Sequence, residues 1–202
     1  MRILSIMTKI LRPGDPRDVY ATNWELEYED VFHFKNLYKE VHDYLDDEGW
    51  KDPDGGTNWE FLYFERTKPD GKQEHHIWWR VQKIINDYVR FIIKLDWQTL
   101  NTSKKEVMQN GKKFKAYQCN VIFRCEAYVQ LDWQNKWQSS PIAKYFDEFY
   151  RKRIFKPFIE KYKLELYRDA YKLNDHIKQY LKLKTRAKLA PKTFREEKGI
   201  PS

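Results

Sequence analysis

YQCNVIFRCEAYVQLDW, residues 117–133, sets the architecture. Tyr117, Cys119, Val121, Phe123, Cys125, Ala127, Val129, Leu131 and Trp133 take every second position, while Asn120, Arg124, Glu126, Tyr128 and Asp132 fill the places between. A period of two held this long predicts a strand with one face buried and the other at least partly wet.

Upstream, Val89, Phe91, Ile93, Leu95 and Trp97 alternate with Tyr88, Arg90, Ile92, Lys94 and Asp96. Before the break at Asn86-Asp87, one side of Lys72 to Ile85 reads His75, Ile77, Trp79, Val81, with Trp78, Arg80 and Gln82 opposite. Asn58 to Thr67 is rich in aromatic residues, and Lys68-Pro69-Asp70-Gly71 is a turn signal leading out of it. A short strand is expected at Glu106 to Gln109, meeting the Asn110-Gly111 hairpin signal.

Helices flank these strands. Phe34, Leu37, Tyr38, Val41, Tyr44 and Leu45 follow one-sided helical spacing, with Asp30 as a candidate cap and Gly49 as the stop. Its acidic end, Asp46, Asp47 and Glu48, opposes the helix dipole, which calls for solvation or a basic partner. Downstream, Ser140 caps a helix that opens on Pro141 and places Ile142, Tyr145, Phe146 and Phe149 on its apolar side. Pro157 predicts a kink near Lys156, after which apolar spacing from Phe158 to Leu181 carries a helix to about Lys184.

The expected fold is α+β: an antiparallel four- to five-stranded meander, with an N-terminal helix and a long kinked C-terminal helix packed on one face. We expect a flexible amphipathic arm at residues 1–22, one domain at 23–184 and a basic flexible tail at 185–202. The arm carries Ile3, Leu4, Ile6, Met7, Ile10 and Leu11 and docks on the domain or a partner.

At 202 residues the chain is long enough for a sizeable core, and no apolar run approaches the ~20 residues of a membrane span. Its 34 aromatic residues against 7 glycines make it heavy for its length. Cys119 and Cys125 lie six apart on one strand, roughly 20 Å and too far for a bridge, so a reducing, cytoplasmic setting is expected. The net charge of +8 is unevenly spread. Residues 1–143 hold 21 basic and 22 acidic side chains, and residues 144–202 hold 17 basic and 8 acidic.

No paired nucleophile and base, no metal-ligand spacing and no phosphate-cradling glycine loop is present, so catalytic residues, metal and cofactor are all expected to be none. His75 and His76 are adjacent in a strand and point to opposite faces, and Asp54-Gly55-Gly56-Thr57 reads as a plain turn.

Two surfaces remain as candidates for binding polyanions. On the open sheet face, Arg80, Arg90, Lys94 and Arg124 are interleaved with the stacking candidates Trp78, Tyr88 and Tyr128, the composition of a single-stranded RNA reader. Cross-strand pairing of these same residues with Glu126 and its neighbours is the plainer alternative. The second surface is Arg151, Lys152, Arg153, Lys156, Lys161, Lys163 and Arg168, continued by Lys178, Lys182, Lys184, Arg186, Lys188 and Lys192. Its charge extends past the last apolar helical position, into sequence that has no folding reason to be basic.

Trp24 to Phe32, Ile77-Trp78-Trp79-Arg80, the strand into Leu131-Asp132-Trp133, and Arg151-Lys152-Arg153-Ile154-Phe155 resemble a group of uncharacterised small archaeal proteins. The resemblance covers Trp24 to Lys184 and implies an archaeal, cytoplasmic setting; it carries no activity and no functional residues.

Three functions fit this sequence. The first is a non-enzymatic module binding RNA or a ribonucleoprotein, as a ribosome-associated protein does, through its C-terminal helix and tail. The second is a self-assembling protein whose acidic first helix meets the basic C-terminal helix of another copy. The third is a ligand-binding fold with an aromatic cavity beneath its sheet.

Overall fold

The computed structural model describes residues 10–12, 14–53, 59–109, 112–138 and 141–189, with 104–116 and 182–189 described by backbone alone. The expected turns at Asp54-Gly55-Gly56-Thr57 and Asn110-Gly111, the Ser140 cap, the arm before Ile10 and the tail beyond Leu189 lie outside the described residues.

Strand β1 (Asp18–Phe32) opens the fold, in a stretch where the sequence reading places no strand. Thr22, Trp24, Leu26, Tyr28 and Phe32 face the core, while Glu25, Glu27 and Glu29 face out, so the acidic residues are themselves half of a period-two pattern. β1 begins four residues after Gly14 and takes in the end of the stretch read as an arm. Helix α1 (Phe34–Asp47) follows directly, starting after His33 rather than near Asp30, which belongs to β1.

Four strands then run as a meander: β2 (Glu60–Thr67), β3 (Gln73–Ile84), β4 (Val89–Gln109) and β5 (Lys112–Leu131). The two strands expected between Val89 and Gln109 are one, 21 residues long. The sheet is antiparallel in the order β1-β5-β4-β3-β2, so β1 pairs with the last strand. Its register, from Asp18↔Gln130 to Phe32↔Tyr117, puts Trp24 beside Cys125. The chain closes with a single 3-10 turn (Lys136–Gln138), helix α2 (Pro141–Phe149), a π-helical turn (Tyr150–Ile154) and helix α3 (Lys156–Leu189). Pro157 sits in the first turn of α3, so the expected break falls in the π turn just before it.

Helices α1 and α3 cover one face of the sheet. Leu37, Val41 and Leu45 of α1 and Leu166, Ala170, Leu173, Ile177 and Leu181 of α3 are fully or almost fully buried. They meet the apolar rows of β3, β4 and β5. Each large apolar side chain removed from water contributes roughly 1.5–3 kcal/mol. Polar bonds fix the direction of α3: Trp24 Nε1 donates to the Ala170 carbonyl at 2.8 Å, and Tyr28 Oη to the Leu181 carbonyl at 3.4 Å. α3 therefore runs alongside β1 and in the same direction.

The aromatic residues under the sheet fill that space with each other. Trp97 lies 4.7 Å from both Trp79 and Phe123 between ring centres, and Tyr38 stands edge-on to Trp79 at 4.9 Å.

Candidate nucleic-acid interface

Register determines what the open sheet face can bind. Lys94 stands directly opposite Glu126 and Arg124 opposite Glu25, and both pairs close, at 3.1 and 3.0 Å. Arg80 is buried; its Nη1 reaches Asp96 at 2.6 Å and the Trp79 carbonyl at 2.7 Å. Arg90 is also buried, donating to Gln130 and Gln82 with its guanidinium 5.3 Å from the Trp133 ring centre. Opposite charges across neighbouring strands stabilise the sheet, and no cation of this group is left over for phosphate.

The stacking candidates are similarly engaged. Trp78 is stacked parallel to Phe61 and near Arg80, and Tyr128 lies under Lys94, edge-on to Tyr20. Tyr88 is not on the open face at all. It sits in the β3–β4 turn, packs edge-on to Phe155 at 5.4 Å, and donates to the buried Asp147. The segment around Ile10 to Arg12 crosses the same face, with Gln130 Nε2 donating to the Ile10 carbonyl and Arg12 Nη2 to the Leu131 carbonyl.

At that end of the sheet α2 is turned the opposite way from the sequence expectation. Asp147 is its only buried residue among those described, while Ile142, Tyr145, Phe146 and Phe149 are all exposed. Asp147 accepts from Tyr88 Oη at 2.5 Å, Arg151 Nε at 3.0 Å and Gln138 Nε2 at 3.4 Å. A carboxylate held by three donors, one of them charged, is expensive to break, and it turns the apolar row outward. Burial and the Asp147 charge together push the Tyr88 phenol well above the usual tyrosine range. The π turn places Arg151 on Asp147 and carries Lys152, which pairs with Glu148 at 2.6 Å. Beside them Trp137, Tyr150, Phe155 and Phe158 form a stacked series open at both ends.

On α3, Lys163 pairs with Glu160 at 3.2 Å. Arg153, Lys156, Lys161 and Arg168 are exposed and form no ion pair among the described residues. Beyond Leu181 the helix continues through Lys182, Lys184, Arg186 and Lys188. The cations of the sheet face, with Arg151, Lys152 and Lys163, are paired or hydrogen-bonded, while Arg153, Lys156, Lys161 and Arg168 are not paired among the described residues.

No metal centre assembles among the described residues. No three His, Cys, Asp or Glu side chains converge there. His75 is buried against Thr99 Oγ1 at 2.7 Å, with its pKa lowered by burial; His42 is stacked on Trp59 and His176 on Tyr44. Asp46, at the acidic end of α1, is met by Lys51 of the same chain at 2.5 Å. A groove of about 730 Å³ lies on the surface between the Arg12–Arg17 loop and Lys144, Arg151 and Lys152. Its guanidiniums are held by Asp18, Asp15, Asp132 and Asp147. No described helix is long and apolar enough to cross a membrane. No protein-family model matches the chain, and no curated protein matches it significantly.

Two features escape a reading of the sequence alone. One is the set of cross-strand partners of the sheet-face cations, which depend on register. The other is the reach of β4 to Gln109 and of β5 back to Lys112, where that reading places a strand only at Glu106 to Gln109.

Proposed function

We propose that this chain is a non-enzymatic, cytoplasmic RNA-binding module of the ribosome-associated kind, and that its binding surface is the outer side and C-terminal end of α3. The supporting observation is the set of exposed cations Arg153, Lys156, Lys161 and Arg168, none of which forms an ion pair among the described residues. The backbone stays helical through residues 182–189, which carry Lys182, Lys184, Arg186 and Lys188 and no acid. Arg153, Lys156, Lys161 and Arg168 continue this surface along the body.

The test is fluorescence anisotropy with a structured RNA from about 50 to 200 mM salt. Eight phosphate contacts give a log–log slope near −7 and a loss of roughly 10⁴ in affinity over that range. The charge-removing variant K182Q/K184Q/R186Q/K188Q is expected to remove about half of that slope. Absence of binding at 50 mM salt, or binding indifferent to salt, refutes the reading.

A further inference from the structure

Helix α2 presents its rings to solvent and its carboxylate to the core. Tyr145, Phe146, Phe149 and, at the start of α3, Phe158 are 69, 57, 49 and 51% exposed, whereas Asp147 is 1% exposed. An amphipathic helix ordinarily lies the other way. Taking a carboxylate out of water is costly unless it is well bonded, and Tyr88, Arg151 and Gln138 together supply that bonding. The outward row is therefore held in place by three specific partners. Single exposed apolar side chains are ordinary, but a contiguous group of them marks a contact surface.

The makeup of the group narrows what it contacts. Five of the seven exposed large apolar side chains from Trp137 to Phe158 are aromatic. Below them the rings of Trp137, Tyr150, Phe155 and Phe158 follow one another nearly parallel, with interplanar angles of 4, 23 and 19°, and the series ends in solvent at Trp137 and at Phe158. Cations stand among these rings. Arg153 comes four residues after Phe149 and Lys161 three after Phe158, each about one helical turn on. Arg153, Lys156 and Lys161 are exposed and form no ion pair among the described residues.

Resting on the RNA-binding reading above, we infer that the exposed rings of α2 and Phe158 are a stacking platform for an unpaired segment of RNA, whose phosphates continue along the cations of α3. Flat rings interleaved with cations match the two parts of a nucleotide, base and phosphate. Bases inside a duplex are stacked on one another and offer no free face, so the segment that uses this platform is single-stranded. A lipid surface or a second copy of the chain would be met as well by aliphatic side chains, which are the minority here.

The experiment uses the full chain and an RNA duplex that carries a six-nucleotide single-stranded overhang. A second probe has the same duplex and an overhang of abasic ribose phosphates, so the charge is kept and the bases are gone. Two bases stacked at no less than about fivefold each make the wild type bind the first probe at least about 25-fold tighter. The variant Y145L/F146L/F149L/F158L keeps an apolar surface without flat rings; it binds the two probes alike and keeps the salt slope within one unit. The variant R153Q/K156Q/K161Q keeps the preference for bases and loses between two and three units of slope. Circular dichroism checks that both variants are folded. If the wild type binds the two probes equally, or the leucine variant keeps the preference, the platform is not there and the inference falls with the RNA reading intact. Equal binding of the probes with sedimentation on phosphatidylserine vesicles assigns the face to a membrane, and equal binding with a dimer by light scattering assigns it to a second copy; either overturns the inference. Absence of binding to both probes overturns both readings.

Discussion

Replacing Asp147 by alanine is expected to cost about 3 kcal/mol. The carboxylate is buried and holds Tyr88, Arg151 and Gln138. Without it a phenol and a guanidinium lose their acceptor, and removing one partner of a buried charged pair costs roughly 3–5 kcal/mol. Arg151 keeps 12% of its side chain exposed, enough for the head group to recover some hydration, so the lower end of that range applies. The measurement is urea unfolding followed by tryptophan fluorescence, where the midpoint should fall with little change in slope. Glu148→Ala, one residue along, removes the exposed pair with Lys152 and should cost under about 0.5 kcal/mol. The double variant Asp147→Ala/Arg151→Met should recover part of the loss, because replacing both partners removes the unpaired charge. The account of α2 as a helix turned outward by its carboxylate is refuted if Asp147→Ala is no more costly than Glu148→Ala.

Two further outcomes are expected besides the RNA titrations. Asp15, bonded to Arg17, has its pKa lowered from 3.8 to about 2. A depressed carboxylate stabilises the fold above its unfolded pKa, and that contribution is lost as pH falls from about 4 to about 2. Asp15→Asn should therefore remove about 2 kcal/mol of the acid dependence in that window, measured by urea unfolding at stepped pH; an unchanged acid limb would contradict the pairing. Cys119 and Cys125 are both buried and unbridged, and burial pushes the Cys125 thiol above its ordinary range. Neither should react with a thiol reagent in the native state and both should in denaturant; rapid native labelling of either would show that the helix layer opens.

What is legible in the sequence is whatever depends on periodicity alone. The odd-numbered positions from Cys119 to Leu131 are core because alternation leaves them no other face, and β3 and the first half of β4 follow the same rule. β1 obeys it too, but Glu25, Glu27 and Glu29 register as charge rather than as the wet half of a strand. The apolar side of α2 is readable from its spacing and its direction is not, because Asp147's partners come from the β3–β4 turn, the 3-10 turn and the π turn. Which face of a short helix is buried depends on what the rest of the fold offers it.

The candidate site divides along a similar line. Alternation puts Arg80, Lys94 and Arg124 on one face, but only register puts Lys94 opposite Glu126 and Arg124 opposite Glu25. A cation above a packed sheet has neighbours at fixed spacings of about 5 Å, and evolution of the fold can neutralise it there at small cost. A cation on an element that projects from the body has no such neighbour, and each one added beside another like charge weakens the element that bears it. Arg153, Lys156, Lys161 and Arg168, exposed on the π turn and α3, form no such pair among the described residues.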